Sequence, residues 1–301
     1  MPADTTRLRD NRSALVATAV AGRIAPPRLH PEVPAFDGDG RLAILPGTGG
    51  VHPGVHAGDP VDRWLADHLM VGASIEDAVA PPAEPGPLHL LGCIGNRVRD
   101  AAGRPIGVIA GKRGGLAPGF MPPNLLSVEI AEAGEECLKP GDRVVVEAVG
   151  RGLALADWPE VAPLNLSPRL LDHLPLRQDS GRLVVDVRAI VPSRYAGAGL
   201  GQDAWVGDLE IAVDPASDPS LAGLRFGDLV AFAAIDGRIS RFYRPGFVAV
   251  GLVAHGPSPV PGHGIGVTIL LSGPDDRLVP VVAEAGGVGG LLRQWAAAFS
   301  P

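Results

Sequence analysis

The sequence predicts a mainly β protein of barrel-like or sandwich units with few short helices. Its apolar runs are short and rich in β-branched residues, as strands require. Those runs are punctuated by 41 Gly and 31 Pro in 301 residues, with no collagen-like period, so they read as tight turns between strands. Helical patterning is confined to the two ends of the chain.

Taken in order, Asn11 or Ser13 caps a predicted helix over residues 14–21, ended by Gly22. A strand at residues 42–45 runs into a Gly-rich turn at 46–50. Residues 88–94 read as an apolar strand. Residues 107–111 read as another, followed by a basic turn at 112–115. Strands at 143–148, 183–187 and 268–271 follow from β-branched content, and a short helix is predicted at 290–299. Gly141-Asp142 and Gly227-Asp228 each enter an apolar run, a weak internal echo: Gly accepts φ > 0 and Asp bonds its own backbone. A polar stretch at 177–181 divides the chain into a β-rich domain, 1–175, and a second, 176–301.

The net charge of −7 argues against a phosphate-binding surface. Two Tyr and seven Phe leave few stacking platforms, so an RNA-binding barrel using the Gly-rich turn at 111–115 is disfavoured and no nucleic-acid partner is expected. No apolar run approaches the roughly 18 residues that span a bilayer, so no membrane partner is expected. The N-terminal basic and Ala-rich stretch is a poor signal peptide because Asp4 and Asp10 interrupt it. Cys93 and Cys137 form no disulfide framework, and a cytoplasmic protein is expected. The sequence leaves homo-oligomerisation open.

Chemistry concentrates in three places. His52, His56 and His68 lie within seventeen residues of chain together with Asp59, Asp62 and Asp67. Imidazole serves as base or metal ligand near neutral pH, and a neighbouring carboxylate fixes its tautomer. The plain alternative is a decorated loop, with Asp59 making a turn. Gly262 and Gly264 flank His263 and let backbone approach a ligand, or merely form a β-turn. Cys93 and Asn96 sit at an apparent strand end: nothing nearby activates the thiol, while Asn96 either offers an amide to a substrate carbonyl or fills a turn. Lys112 and Arg113 among glycines form an anion site or a solvated hairpin tip. No G-x-S-x-G elbow, P-loop or kinase motif occurs.

Pro46-Gly47-Thr48-Gly49-Gly50, Gly58-Asp59, Asp67-His68, Gly72-x-Ser74-Ile75, Cys93-Ile94-Gly95-Asn96, Gly111-Lys112-x-Gly114-Gly115, Gly199-Leu200-Gly201 and Gly262-His263-Gly264-x-Gly266-Val267 occur in this order. Together they resemble the family called domain of unknown function 4438, over roughly residues 10 to 275. The resemblance implies a mainly β, barrel-like fold and carries no activity with it. It also implies His at the positions of Arg113 and Gly237, and a Glu-Pro pair where this chain has Leu69-Met70-Val71. Such departures fit a specialised paralogue acting in secondary metabolism.

The expected function is small-molecule enzymology by His/Asp general acid–base chemistry: hydrolysis of an amide-like or cyclic bond, or a lyase or cyclisation step. Asp67 orients His68, and His68 and His263 move the proton. Asp59, Asn96, Lys112, His52 and His56 hold the substrate, a small polar metabolite. The alternative is a non-catalytic small-molecule binder. No cofactor is expected; a metal held by His52, His56, His68 and nearby Asp lacks a recognised ligand spacing.

Overall fold

The computed structural model describes residues 8–28, 38–41, 44–79, 85–115, 124–213 and 217–299. The first half of the chain closes a six-stranded antiparallel barrel from β1 (Thr18–Ile24), β2 (Ala73–Asp77), β3 (Arg97–Asp100), β4 (Pro105–Arg113), β5 (Leu125–Ile130) and β6 (Arg143–Ala148), in the order β1-β2-β5-β4-β3-β6. Closure pairs β6 with β1, from Thr18 opposite Ala148 to Arg23 opposite Arg143. A closed sheet leaves no edge open to aberrant pairing.

The second half builds a sheet from β10 (Ala189–Val191), β11 (Leu209–Ile211), β12 (Leu229–Asp236), β13 (Phe242–His255) and β14 (Ile265–Pro274), in the order β10-β12-β13-β14-β11. The short β7 (Ala162–Pro163) pairs with β14. A smaller sheet holds β8 (Leu176–Asp179), β9 (Arg182–Val187) and β15 (Leu278–Val282), with β9 central. The helices are short: α1 (Pro87–Leu91), α2 (Glu132–Glu135), α3 (Pro168–Leu171) and α4 (Gly289–Ala297). The mainly β expectation is met, and the C-terminal helix lies where it is predicted. Among the described residues no helix is long and apolar enough to cross a membrane.

Three local expectations fail, each for a physical reason. The predicted helix at 14–21 is instead a 3-10 turn at Arg12–Ala14 followed by β1. Val20, Gly22 and Ile24 point inward at period two, and pairing with both β2 and β6 satisfies the backbone. Alanine's helix propensity is a weak prior against that many ladder bonds. The predicted strand at 88–94 begins as α1, with Pro87 in the first turn; Asp77 accepts a 2.7 Å bond from the Leu88 N–H, one of the donors a helix start leaves open. The basic turn at 112–115 starts too early, because Lys112 and Arg113 belong to β4 and both are buried. Of the predicted strand at 42–45, residues 42 and 43 lie outside the described residues, and Ile44 and Leu45 are not in a strand.

The barrel packs through β4 onto β13 and β14, and α4 returns across β4 and β5. Thr268 of β14 stitches the two layers. Its hydroxyl accepts from the Lys112 N–H at 2.9 Å and donates to the Lys112 carbonyl at 3.2 Å. One continuous apolar core therefore runs from barrel residues such as Ile109 and Val128 to Leu252 and Ile269 of the sheet.

Candidate active site

The loop between β1 and β2 delivers Asp67 and His68 to the seam between barrel and sheet. The segment is docked by backbone bonds to the end of β13: the His68 N–H donates to the Pro257 carbonyl at 3.2 Å, and the Gly256 N–H to the Leu69 carbonyl at 2.8 Å. His68 adopts the left-handed conformation, φ 55°, which is uncommon for a residue with a Cβ and is a local strain. That bend answers a geometric question. On a regular strand, neighbours face opposite sides, yet here Asp67 Oδ1 lies 2.6 Å from His68 Nδ1. The carboxylate stands on the Nδ1 side of the ring, and Nε2 faces His263 and Glu210.

The other wall comes from the C-terminal sheet. His255 ends β13, His263 lies just before β14, and Asp208 and Glu210 flank Leu209 on β11. His68 Nε2 is 3.3 Å from His263 Nδ1 and 3.4 Å from Glu210 Oε1. His263 Nδ1 is 3.0 Å from that same oxygen. The other Glu210 oxygen accepts the Gly264 N–H at 2.6 Å. Beside them His255 Nε2 meets Asp208 Oδ2 at 2.8 Å, and its Nδ1 faces the Gly256 carbonyl, also at 2.8 Å. The rings of His68 and His255 are 4.9 Å apart.

The glycines around His263 are spacers. A Cβ on Gly264 would stand 1.9 Å from the Ile211 carbonyl oxygen, so this glycine lets β11 bring Glu210 to His263. A Cβ on Gly266 would stand 1.9 Å from His255 Nε2, so that glycine makes room for the ring.

Burial by itself raises the Glu210 carboxyl, but attraction to His68 and contacts with His263 hold it well below the usual carboxylate range. Burial lowers His263 and His255. Glu210 outweighs it for the first and Asp208 for the second, so both imidazoles end raised. Arg113 at the end of β4 is the cation of this centre. Burial lowers its guanidinium, against attraction from Asp208, Glu210 and Asp67. Its Nε and Nη1 are buried with no hydrogen-bond partner among the described residues. His263, with residues 257–262, lines a cavity of about 500 Å³.

Two adjoining family models match residues 35–292: "Domain of unknown function (DUF4438), N-terminal" over residues 35–172 and its C-terminal counterpart over 173–292. The chain belongs to the DUF4438 family. It is similar to a solved structure described as "Crystal structure of TM1086", with 30% identity and a TM-score of 0.87, over 95% of this chain and 100% of that one. No curated protein matches it. The family's two models meet at 172/173, and the candidate site of this DUF4438 chain draws on both parts.

The remaining candidate residues of the DUF4438 chain lie elsewhere. Lys112 points away from Arg113, as successive strand residues must. Its Nζ donates to the His89 carbonyl at 2.6 Å and the Trp205 carbonyl at 3.4 Å, and burial lowers the amine to about 8. The Asn96 amide is spent on backbone: Oδ1 accepts from the Cys93 and Val149 N–H groups, and Nδ2 donates to the Val149 carbonyl. Cys93 is buried, and burial pushes its thiol up to about 11. His52 Nδ1 sits 2.9 Å from the Met70 carbonyl, and burial lowers its pKa. His56 lies between Glu129 (3.0 Å) and Glu135 (3.6 Å), on a separate polar cavity of about 420 Å³ that Asp59, Arg63 and Arg293 also line. Asp59 there accepts the His56 N–H at 2.9 Å, closing a turn.

So the geometry joins Asp67, His68 and His263, and separates them in partner and place from His52, His56, Asp59, Asn96 and Lys112. Sequence reasoning missed Asp208, Glu210 and His255, and it placed Arg113 with Lys112 in a separate anion site rather than in this centre. Asp208 and Glu210 carried a signal: two carboxylates two apart in an apolar strand share a face. His255 carried none. The donor atoms of His68, Glu210 and His263 lie within 4.8 Å of one another, as do those of Asp208, Glu210 and His255.

Proposed function

We propose that this protein is a small-molecule enzyme whose reaction is general acid–base catalysis at the His68–His263 pair, on an amide-like or cyclic bond or in a lyase or cyclisation step. The observation that carries the reading is a distance. Two imidazoles 195 positions apart in the chain place ring nitrogens 3.3 Å apart and share one carboxylate, Glu210. His263 borders the cavity, so it meets the substrate and exchanges protons with it. His68, fully buried and held by Asp67, passes or stores the proton. Glu210 stabilises whichever ring is charged. Arg113, with N–H groups lacking partners among the described residues, is placed to meet an oxygen that gains negative charge. A small polar metabolite is the substrate class: the cavity of about 500 Å³ suits a small molecule, and the centre behind His263 is built of charged and imidazole groups.

The test is turnover against a panel of small amides, lactams and cyclic imides. Activity that falls by roughly 10²-fold or more in His68→Ala and His263→Ala, with the fold intact by circular dichroism, supports the reading. Turnover unaffected by either change sinks it. Ligand binding weakened by those changes, with no turnover in the wild type, makes the protein a binder instead.

A further inference from the structure

We propose that His68 Nε2, His263 Nδ1 and Glu210 Oε1 form a binding site for one divalent cation of the zinc class. The inference rests on the reading of this centre as the active site and adds an ion to it. Sequence reasoning alone expects no metal; the shape of the donor triangle is what changes that reading.

The three donor atoms form a triangle with edges of 3.0, 3.3 and 3.4 Å. A tetrahedral ion with ligands at about 2.05 Å sets its donors about 3.3 Å apart, and an octahedral one sets adjacent donors about 2.9 Å apart. The triangle therefore has the size of one face of either polyhedron, without side-chain movement. Two imidazoles and one carboxylate are also the donor set of zinc sites that keep a coordination position open.

The atoms behind the donors are those a metal site needs. Asp67 stands 2.6 Å from His68 Nδ1, and Nε2 is the ring nitrogen turned toward His263 and Glu210. The Gly264 N–H holds the second Glu210 oxygen at 2.6 Å, turning the first toward the imidazoles. Outer contacts of this kind orient ligands and raise their basicity. The sequence motif enforces the arrangement, since no side chain fits at Gly264.

The experiment uses the full chain without a His-tag, stripped with a chelator and dialysed. Titration with zinc chloride by calorimetry is expected to show one equivalent bound with sub-micromolar affinity. Cobalt chloride is expected to give the intense visible bands of a four- or five-coordinate ion. Glu210→Gln, which preserves shape, and His263→Ala are each expected to weaken zinc by roughly 10²-fold or more. Less than about a tenth of an equivalent of zinc, an aquo-type cobalt spectrum, or variants that bind as the wild type overturn the proposal. The cobalt spectrum reads the wild type, so it decides even if a variant fails to fold. The two readings fail separately. Turnover by the stripped protein that still depends on His68 removes the ion and keeps the acid–base site. Zinc bound at these residues with no turnover on any substrate keeps the ion and removes the enzyme.

Discussion

At the scale of single residues, burial separates structural polar groups from reactive ones. Lys112 is buried to completion, yet both its contacts are carbonyls of neighbouring segments, so its amine pins α1 and the loop before β11 to the barrel. Lys112→Ala should leave a void and two unmet carbonyls, costing about 3 kcal/mol. Lys112→Met keeps the volume and should cost roughly half as much. Urea unfolding of the three proteins measures this, and equal midpoints would remove Lys112 from the framework. His56 gives a pH signature. Its hydrogen bond with Glu129 raises its pKa above the ordinary imidazole value of 6.5. A group raised on folding stabilises fully below its unfolded pKa, and that contribution is lost as pH rises through the folded one. The wild type should therefore exceed His56→Gln most below about pH 6.5, and the gap should shrink as the pH rises above it. Melting temperatures across that range check it; a gap that widens with pH means His56 is neutral in the fold.

At the scale of elements, three Gly-Asp turns show how far local chemistry reaches. In each the Asp carboxylate accepts the N–H three residues earlier: His56 to Asp59, Lys139 to Asp142 and Arg225 to Asp228, at 2.8–2.9 Å. Two of them launch β6 and β12, as the sequence suggests, but the third is a loop, so the echo is turn chemistry and no measure of duplication. The segment from His263 to β14 is more demanding. Gly266→Ala would drive a methyl into His255 and push its ring off Asp208. An overpacked site of this kind typically costs about 1–3 kcal/mol. The expected outcome is a folded protein with a lower melting temperature and a displaced His255 imidazole signal in NMR. An unchanged His255 resonance would mean the strand shifts instead of the ring. The β1 segment teaches the opposite lesson: its alanines favour a helix locally, and only the closing of the barrel makes it a strand.

At the scale of the whole molecule, the barrel and the sheet share one core and one site. Apolar side chains of β4 and β5 continue into those of β13 and β14, around the polar centre they enclose. The carboxylate Glu210 of the second half binds His68 of the first. Unfolding should accordingly be one cooperative transition, with far-ultraviolet circular dichroism and tryptophan fluorescence coincident and the calorimetric and van't Hoff enthalpies equal. Trp158, near the middle of the chain, and Trp295, near its C-terminal end, are both buried and report on it. Two separated transitions would show that the halves are independent domains joined by a linker.

What the sequence by itself determined is what short-range forces decide. β-branched runs, Gly-Asp turns and the terminal helix follow from steric and hydrogen-bonding preferences over a few residues, and they suffice for a mainly β barrel. Asp67, His68 and His263 were legible because small residues and a carboxylate stand beside them in the chain. Only the tertiary structure decided that Glu210 bridges the two imidazoles, that His255 pairs with Asp208, and that Arg113 rather than Lys112 faces the centre. Those meetings depend on the docking of β4 on β13 and β14 and on the pairing of β11 with β14. Strand order and register are set by burying a shared core over the whole chain, and a one-residue change of register would turn each of these side chains to the other face.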